Sequence, residues 1–293
     1  ASIIRLRTCA LPAGCRLQDR HSSEVRYVMV GVQTVHHLNC GSFRFGLVTH
    51  VVVCETDDGL VMVDAGIGSA DIATPAALGK AALALGPALQ QNETALAQLQ
   101  RIGYSANDVR HIVCTHLDYD HISGARDFPD ALVHVTATEH AIASARPAIT
   151  AKLRYREHHL PLDMRVKTYA GEGEPFLGFS SSYPVAGLND FTLIPMPGHT
   201  VGHAGVAIRA ARRGWLFHAG DAFYDRSSIE MGTARASLRS RGLRALETML
   251  AVDPKRIAIN HARLKELAHN QHIGVEVFCS HDRAALEELQ TRR

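Results

Sequence analysis

Short apolar runs, several of them alternating with polar residues, dominate the first third of the chain and predict β-strands. Two such runs, at 48–54 and 60–63, flank the sequence Thr-Asp-Asp-Gly, a turn signal that predicts a β-hairpin. Similar runs predict further strands at 3–7, 25–35, 111–115, 131–136, 191–196, 204–208, 215–217 and 275–279.

Helix start and stop signals lie between many of these strands. The predicted helices are a segment capped by Asn92 that runs to Arg101, a segment opened by Thr138 and Glu139 that runs to Ala145, two longer segments at 233–251 and 254–270, the latter capped by Asp253, and a short amphipathic segment after Asp282. Strands interleaved with helices indicate a layered α/β fold.

Two segments do not follow either pattern cleanly. The stretch 171–182 is rich in Gly and Ser and is predicted to be a long loop. The stretch 76–89 is rich in Ala and Leu but is interrupted by Gly79 and Gly86. We interpret it as a packed surface helix, with a mobile apolar flap near a functional site as the alternative.

Composition narrows the class of protein. The 293 residues, 46% of them hydrophobic, are enough for one large domain or two small ones. A net charge of +2 gives no reason to expect a nucleic-acid partner. No apolar run approaches the ~20 residues that span a bilayer, and no signal peptide is visible, so we expect no membrane association. None of the 6 cysteines forms a C-x-x-C pair, and we expect reduced thiols and a cytoplasmic location.

The segment 115–121 carries the most distinctive chemistry. Directly after a predicted strand it places four potential metal ligands, His116, Asp118, Asp120 and His121. Residues two apart in an extended loop point the same way, so His116, Asp118 and Asp120 can converge. His199, Asp221 and His281 follow other predicted strands in the sequences Gly-His-Thr, Gly-Asp-Ala and Ser-His-Asp. Several convergent donors are what a cation needs in exchange for its water shell, so we predict a metal site.

The ordered motifs H-x-D-x-D-H, P-G-H-T, G-D-A and S-H-D resemble those of the metallo-β-lactamase superfamily of hydrolases, over nearly the whole chain. The chain looks most similar to the N-acyl homoserine lactonase branch. That similarity rests on the opening Leu-Pro-Ala-Gly at 11–14 with Asp19 and 21–23 after it, the V-F-x-x-H-D context of 277–282, and Tyr224 three positions after Asp221.

The resemblance implies a fold and a centre. The fold would be an αββα sandwich with the metals at the edge between two mixed sheets. It would form one domain, 1–293, of two lobes joined near residues 160–190. Position by position, the resemblance implies one metal on His116, Asp118 and His199, a second on Asp120, His121 and His281, and Asp221 bridging both.

The resemblance also implies an activity. Two divalent ions, Zn²⁺ in the first place and Fe²⁺ or Mn²⁺ as alternatives, would share a hydroxide that attacks a small-molecule lactone or a related carboxylic ester. Asp120 would orient that hydroxide and pass a proton to the leaving alkoxide. Tyr224 would donate to the oxyanion. Asp64 would support the ligands from behind, and His203 and His218 would be hydrogen-bonded neighbours of the ligands.

Asp118 departs from the family pattern, which usually has His there. A carboxylate is a harder donor and shifts the preference from Zn²⁺ toward Fe²⁺ or Mn²⁺. The alternative is that Asp118 does not bind metal and the first site is weak. Three other functions stay open: a thioester hydrolase of the glyoxalase II kind, a di-iron redox protein, and a metal-binding fold that senses a small ligand. Substrate identity and oligomeric state are not determined by these patterns.

Overall fold

The computed structural model describes residues 31–160, 165–230, 237–270, 272 and 274–292, and the backbone of two short paired strands, β1 (Cys15–Leu17) and β2 (Tyr27–Met29). The predicted strand at 3–7 and the lactonase-like opening at 11–14, 19 and 21–23 lie outside these residues. The predicted strand at 25–35 corresponds to β2 and to the start of the next strand at Thr34.

The first sheet has six strands in the order β3-β4-β5-β6-β7-β8. They are β3 (Thr34–Ser42), β4 (Val48–Thr56), β5 (Gly59–Val63), β6 (Val109–Val113), β7 (Leu132–Thr136) and β8 (Arg165–Tyr169). The first three strands are antiparallel, and β5 to β8 are parallel. The predicted hairpin is β4–β5, with Thr56 opposite Gly59, which confirms that prediction.

The second sheet has five strands in the order β13-β12-β11-β10-β9. They are β9 (Tyr183–Val185), β10 (Leu188–Pro195), β11 (Ala204–Ala210), β12 (Gly214–His218) and β13 (Val275–Phe278). All neighbours are antiparallel except β12 and β13, which are parallel. The predicted one-domain, two-lobe division with a junction near 160–190 stays a prediction.

The described helices are α1 (Ser69–Ala73), α2 (Lys80–Ala84), α3 (Ala95–Arg101), α4 (Tyr119–Ile122), α5 (Ala137–Ala145), α6 (Ile149–Arg154), α7 (Leu238–Leu250), α8 (Pro254–His269) and α9 (Arg283–Thr291). Asp253 caps α8, as predicted, and the predicted short helix after Asp282 is α9, which Asp282 caps. Ser237 caps α7, and the predicted start of that helix at 233 lies outside the described residues.

Two predicted helix starts were wrong by about one turn or less, and the cause is the same. Thr94, not Asn92, caps α3, because the Thr94 hydroxyl accepts a hydrogen bond from the amide of Ala97. Thr136, not Thr138, caps α5 by accepting from the amide of Glu139. Threonine and asparagine both serve as caps, so the sequence offered two candidates and tertiary packing selected one.

The alternation of residues in β4 shows how the layers form. Val51 and Val53 pack toward α3 and α5, whereas Val52 and Cys54 pack into the space between the two sheets. Successive side chains of a strand point to opposite faces, so a strand covered on both sides is apolar throughout. The second sheet repeats this, with Leu193 in the inter-sheet core and Ile194 against α8. The fold is therefore the predicted αββα sandwich.

The two segments without a clear pattern differ in structure. The stretch 171–182 contains no described helix or strand, only a two-residue bridge between Phe176 and Phe179, as expected for a loop. The predicted helix at 76–89 is broken at Gly79, whose φ of 82° does not suit a helix, and only α2 is α-helical there. Leu78 and Ala82 are buried, so this segment is packed. Among the described residues no helix is long and apolar enough to cross a bilayer.

Buried histidines lie in the first sheet away from the predicted metal site. His134 on β7 is completely buried, and its ring nitrogens lie 2.9 Å from His111 Nδ1 and 2.8 Å from the Tyr169 hydroxyl. Burial, reinforced by His111, lowers the pKa of His134 to about 4.

This shift predicts a pH-dependent contribution to stability. Below pH 6.5 the unfolded chain takes up a proton at His134, whereas the folded chain does so only near pH 4, so this side chain costs stability as the pH falls through that window. In His134→Gln that cost is absent. We expect His134→Gln to have a lower unfolding free energy than wild type at neutral pH. As the pH falls below 6.5, this difference between the two proteins should shrink by up to about 1.4 kcal/mol per pH unit. Urea unfolding at pH 7.5 and pH 5 measures it, and an equal loss at both would contradict the assignment.

Candidate metal centre

The predicted ligands lie at the carboxyl ends of strands from both sheets. The loop after β6 carries the first motif, and its last residues form the one-turn helix α4. Loops after β10, β12 and β13 carry His199, Asp221 and His281. The sheets are tied together here, because the amide of Ala204 donates to the carbonyl of Thr115 and the amide of His50 to that of Ser280. The edge between the sheets is therefore where the motifs meet.

The first group of donors is His116, Asp118 and His199. One oxygen of Asp118, Oδ2, lies 2.9 Å from His199 Nε2 and 3.4 Å from His116 Nε2. One ligand atom from each residue lies within 4.8 Å of the others, which is the spacing of donors around one ion.

The second group is Asp120, His121 and His281, whose candidate ligand atoms also lie within 4.8 Å of one another. Asp120 Oδ2 is 3.8 Å from His121 Nε2 and 4.0 Å from His281 Nε2. All three residues are buried. The structure therefore brings together the residues predicted for each of two sites.

Asp221 lies between the two groups. Its Oδ1 is 3.2 Å from His121 Nε2, and its Oδ2 is 2.9 Å from His281 Nε2. The same Oδ2 is 3.5 Å from His199 and 4.0 Å from His116. A single carboxylate thus faces imidazoles of both groups, which is the position of a shared ligand.

Hydrogen bonds behind the rings direct the free nitrogens into this centre. His121 Nδ1 donates to Asp64 Oδ2 at 2.8 Å, and His281 Nδ1 donates to the carbonyl of Val48 at 2.7 Å. Both rings thus direct Nε2 into the centre, where a neutral ring would offer its lone pair to a metal ion. The Nε2 atoms of His116 and His121 are buried and have no hydrogen-bond partner. Buried polar atoms are normally satisfied, so these orphaned nitrogens fit a centre that takes metal ions.

His203 and His218 are also buried but are not free to bind metal. His203 Nδ1 donates to the carbonyl of Met196, and its Nε2 accepts from the amide of Asp221 at 3.0 Å. His218 Nε2 donates to the carbonyl of His50, and its Nδ1 accepts from the amide of Gly220 at 3.2 Å. Both nitrogens of each ring are used, so these residues orient the backbone of the Gly-Asp motif, as predicted.

The pKa values of the donors reflect their mutual pairing. Burial would raise the pKa of Asp221, but His281, His121 and His199 outweigh it and hold that pKa well below its usual range. Burial would likewise lower the pKa of His121, but the Asp221 and Asp120 carboxylates raise it well above its ordinary value. The cluster therefore pairs anionic carboxylates with imidazoles, which stabilises charges that burial alone would neutralise.

Asp64 supports the centre from behind. It is completely buried, and its two oxygens accept from the amide and hydroxyl of Thr115 and from His121. Its φ of 59° is in the left-handed region, which is uncommon for a residue other than glycine. Strained backbone of this kind persists where surrounding contacts over-determine it, as they do here.

Tyr224, the predicted oxyanion donor, lies against the centre. Its ring is 4.7 Å from the His281 ring and 6.2 Å from the His199 ring, centroid to centroid. It also packs with Leu47 and Leu243. Burial, with Asp221 nearby, raises its pKa well above the usual value, so the phenol keeps its proton. A protonated phenol can donate a hydrogen bond.

Two charged residues around the centre were not recognised in the sequence. Arg154, at the end of α6, has Nε 3.3 Å from Asp118 Oδ1. Glu139, in the first turn of α5, was noted only as a helix-opening residue. Neither lies in a motif or near the ligands along the chain, so only the folded structure could reveal them.

Glu139 fastens two of the ligand loops together. It is completely buried. Its Oε1 accepts from the amide of Leu117 and the hydroxyl of Tyr155, both at 3.0 Å. Its Oε2 accepts from the hydroxyl of Thr200 at 2.6 Å and the amide of Gly202 at 3.2 Å. A side chain at Gly202 would collide with the backbone of Glu139, since a Cβ there would lie 2.1 Å from its nitrogen.

Several other described histidines make contacts away from the centre. His36 pairs with Glu55, and His261 pairs with Glu247. His159 is buried and lies 2.9 Å from Asp71, with His158 beside it. Burial and the neighbouring His159 lower the pKa of His158, with smaller contributions from Arg126 and Arg156.

Comparisons with known proteins agree with this geometry. Residues 44–261 match the family model of the metallo-beta-lactamase superfamily. A probable metallo-hydrolase of Mycobacterium tuberculosis is 42% identical over 252 residues, which cover 85% of this chain and 80% of the relative. An N-acyl homoserine lactonase of Bacillus cereus is 24% identical over 183 residues, 60% of this chain and 64% of the lactonase.

Solved structures show the same fold. An N-acyl homoserine lactone hydrolase, solved with the product N-hexanoyl-L-homoserine at its catalytic metal center, aligns with a TM-score of 0.66 and 20% identity, covering 90% of this chain and 98% of the other. The protein is thus of the metallo-hydrolase class, built as an αββα sandwich. The chain belongs to the metallo-beta-lactamase superfamily, and the resemblance to lactonases is confirmed.

The position of Glu139 generates a stability prediction. Glu139→Ala leaves four donors without their acceptor, on Leu117, Tyr155, Thr200 and Gly202. Each buried unsatisfied donor costs about 1–3 kcal/mol, so we expect the variant to lose roughly 3 kcal/mol or more of unfolding free energy. Urea denaturation measures this loss, with Glu172→Ala, at an exposed glutamate, as the matched control. A loss no larger than that of the control would show that Glu139 does not brace the loops.

Proposed function

We propose that this protein is a dinuclear metal-dependent hydrolase that opens lactones or cleaves related carboxylic esters. The observation that carries the proposal is the arrangement of two three-donor groups on either side of Asp221, with Tyr224 against the rings of both groups. The structural relative that holds an opened lactone product at its catalytic metal center supports the substrate class.

The donor set suits two divalent ions. His116, Asp118 and His199 would hold one, Asp120, His121 and His281 the other, and Asp221 both. Imidazole and carboxylate donors are compatible with Zn²⁺, Fe²⁺ and Mn²⁺, and we propose Zn²⁺ as the first choice. Two such ions, when bound, would acidify a water molecule and polarise the carbonyl of the substrate.

Asp120 is proposed to move the proton of the reaction. Its carboxylate belongs to the second donor group, and Oδ2 is about equally far from His121 and His281. From there it would orient the attacking water and accept its proton. After the new C–O bond forms and the ester C–O bond breaks, Asp120 would return that proton to the departing alkoxide. A lactone would leave as one hydroxy acid, and a linear ester as an acid and an alcohol.

Tyr224 is proposed to stabilise the oxyanion. Its phenol stays protonated and lies against His281 and His199, one residue from each donor group. A donor aimed at the oxygen on which negative charge develops lowers the barrier of acyl transfer.

The substrate is proposed to be a small molecule. The buried thiols of Cys40, Cys54, Cys114 and Cys279 are unpaired, which is compatible with the proposed cytoplasmic location.

Metal content tests the dinuclear part of this proposal. After expression in metal-replete medium, elemental analysis should find about two ions per chain, because one shared and six separate donors serve two sites. Treatment with a chelator should abolish hydrolysis of an N-acyl homoserine lactone, and added Zn²⁺ or Mn²⁺ should restore it. A chain that holds one ion at saturation, or that hydrolyses only a thioester in a panel of lactones, aryl esters and thioesters, would contradict the proposal.

Tyr224→Phe tests the oxyanion donor. We expect turnover of the best lactone to fall, by up to about 10²–10³-fold and by less where a metal also holds the oxygen. Metal content should stay unchanged, because Tyr224 is outside both donor groups. The matched control is Tyr104→Phe, which removes a tyrosine hydroxyl that is hydrogen-bonded with Glu55. Equal turnover for wild type and Tyr224→Phe would show that Tyr224 serves packing only. The proposed roles of Asp120 and Asp221 would not be affected.

A further inference from the structure

Arg154 is the last residue of α6 and reaches the first donor group. Only 17% of its side chain is exposed. Its Nη1 donates to the carbonyl of His199 at 2.8 Å, and its Nη2 donates to the carbonyl of Leu250. With Nε beside Asp118, the guanidinium contacts the side chain of one first-site residue and the backbone of another, His199.

The carboxylate of Asp118 is divided between two partners. Its Oδ2 faces His199 and His116, at 2.9 Å and 3.4 Å. Its Oδ1 faces Arg154, 3.3 Å from Nε. The positive charge of the guanidinium disfavours a cation beside Oδ1, whereas Oδ2 faces the imidazoles of the first group. The geometry therefore leaves Asp118 a single oxygen for the centre, which is what an imidazole at this position would supply.

The charges lead to the same conclusion. With Asp118, Asp120 and Asp221 the donors carry three carboxylates, whereas a histidine at position 118 would leave two. Arg154 supplies one positive charge beside the additional carboxylate. Nearly buried charges are stable only when paired, and a guanidinium that lost its carboxylate here would be left with carbonyl partners alone.

We infer that Arg154 is a positioning residue that makes Asp118 act as a one-oxygen, charge-compensated replacement for a histidine ligand. Asp118 and Arg154 are then a matched pair, and changing one without the other should weaken the first metal site. The inference rests on the proposed dinuclear function, since it concerns how one of the two ions is held.

Metal content in a cycle of variants tests the pair. The proteins are wild type, Asp118→His, Asp118→His with Arg154→Met, and Asp118→His with Arg154→Lys. Each is expressed in metal-replete medium, checked for cooperative thermal unfolding, and analysed for ions per chain. Lysine keeps the positive charge and methionine removes it at similar volume.

We expect about two ions in wild type and about one in Asp118→His, because the unpaired guanidinium repels a cation at the first site. Arg154→Met should restore the second ion in the Asp118→His background, and Arg154→Lys should not. Arg146→Met in the same background is the matched control. Arg146 pairs with Glu157 at 2.9 Å, just before α6, and its removal should restore nothing. A purely structural role for Arg154 would not produce a rescue that depends on charge.

Several results would overturn the inference. The first is a content of two ions per chain in Asp118→His. The second is no increase in ion content when Arg154→Met is added to Asp118→His. The third is an equal increase when Arg154→Lys is added instead. If Asp118→His does not fold, Asp118→Asn replaces it in every protein of the cycle and is judged by the same outcomes. A wild-type chain with one ion would contradict both the inference and the proposed function. A wild-type chain with two ions and no esterase or lactonase activity would contradict the function alone.

Discussion

The structure depends on burying a cluster of acids and imidazoles at one edge of its two sheets. Such groups are costly to remove from water unless each finds a partner of opposite charge or a hydrogen bond. Asp221 supplies this partner to both donor groups. Its two oxygens face His121 and His281, and His199 and His116 lie close by. Each surrounding element can be understood by how it supports this cluster.

The support comes in layers around the donors. Asp64 holds His121 and Thr115, Glu139 joins the loop after β6 to the loop after β10, and Arg154 joins that second loop to Asp118. Asp64 directly follows β5, Glu139 lies in α5 and Arg154 ends α6. Their contacts fix ligand loops from both sheets, so the centre is as rigid as the sandwich that carries it.

Membership of the metallo-beta-lactamase superfamily places the chain among metal-dependent hydrolases, and its relatives include named lactonases. Within that frame the chain carries its own variation, a carboxylate where the pattern usually has an imidazole. The structure shows that this change does not stand alone, because a guanidinium occupies the far side of the same carboxylate. In the proposed centre, the additional carboxylate and the neighbouring guanidinium offset each other electrostatically.

The sequence by itself determined a layered α/β fold, many of the strands and the donors directly after them, because these follow from local patterns of apolar residues. The αββα arrangement and the grouping of the seven donors came from the resemblance to the superfamily. The short strands β1, β8 and β9 were not predicted. The sequence did not determine which of two threonine or asparagine residues caps α3 or α5, since both are competent and packing chooses. Only the tertiary structure revealed Arg154 and Glu139. Their roles come from partners such as Asp118, 36 positions away from Arg154 along the chain, and Thr200, 61 away from Glu139, and no local pattern encodes a contact at that separation.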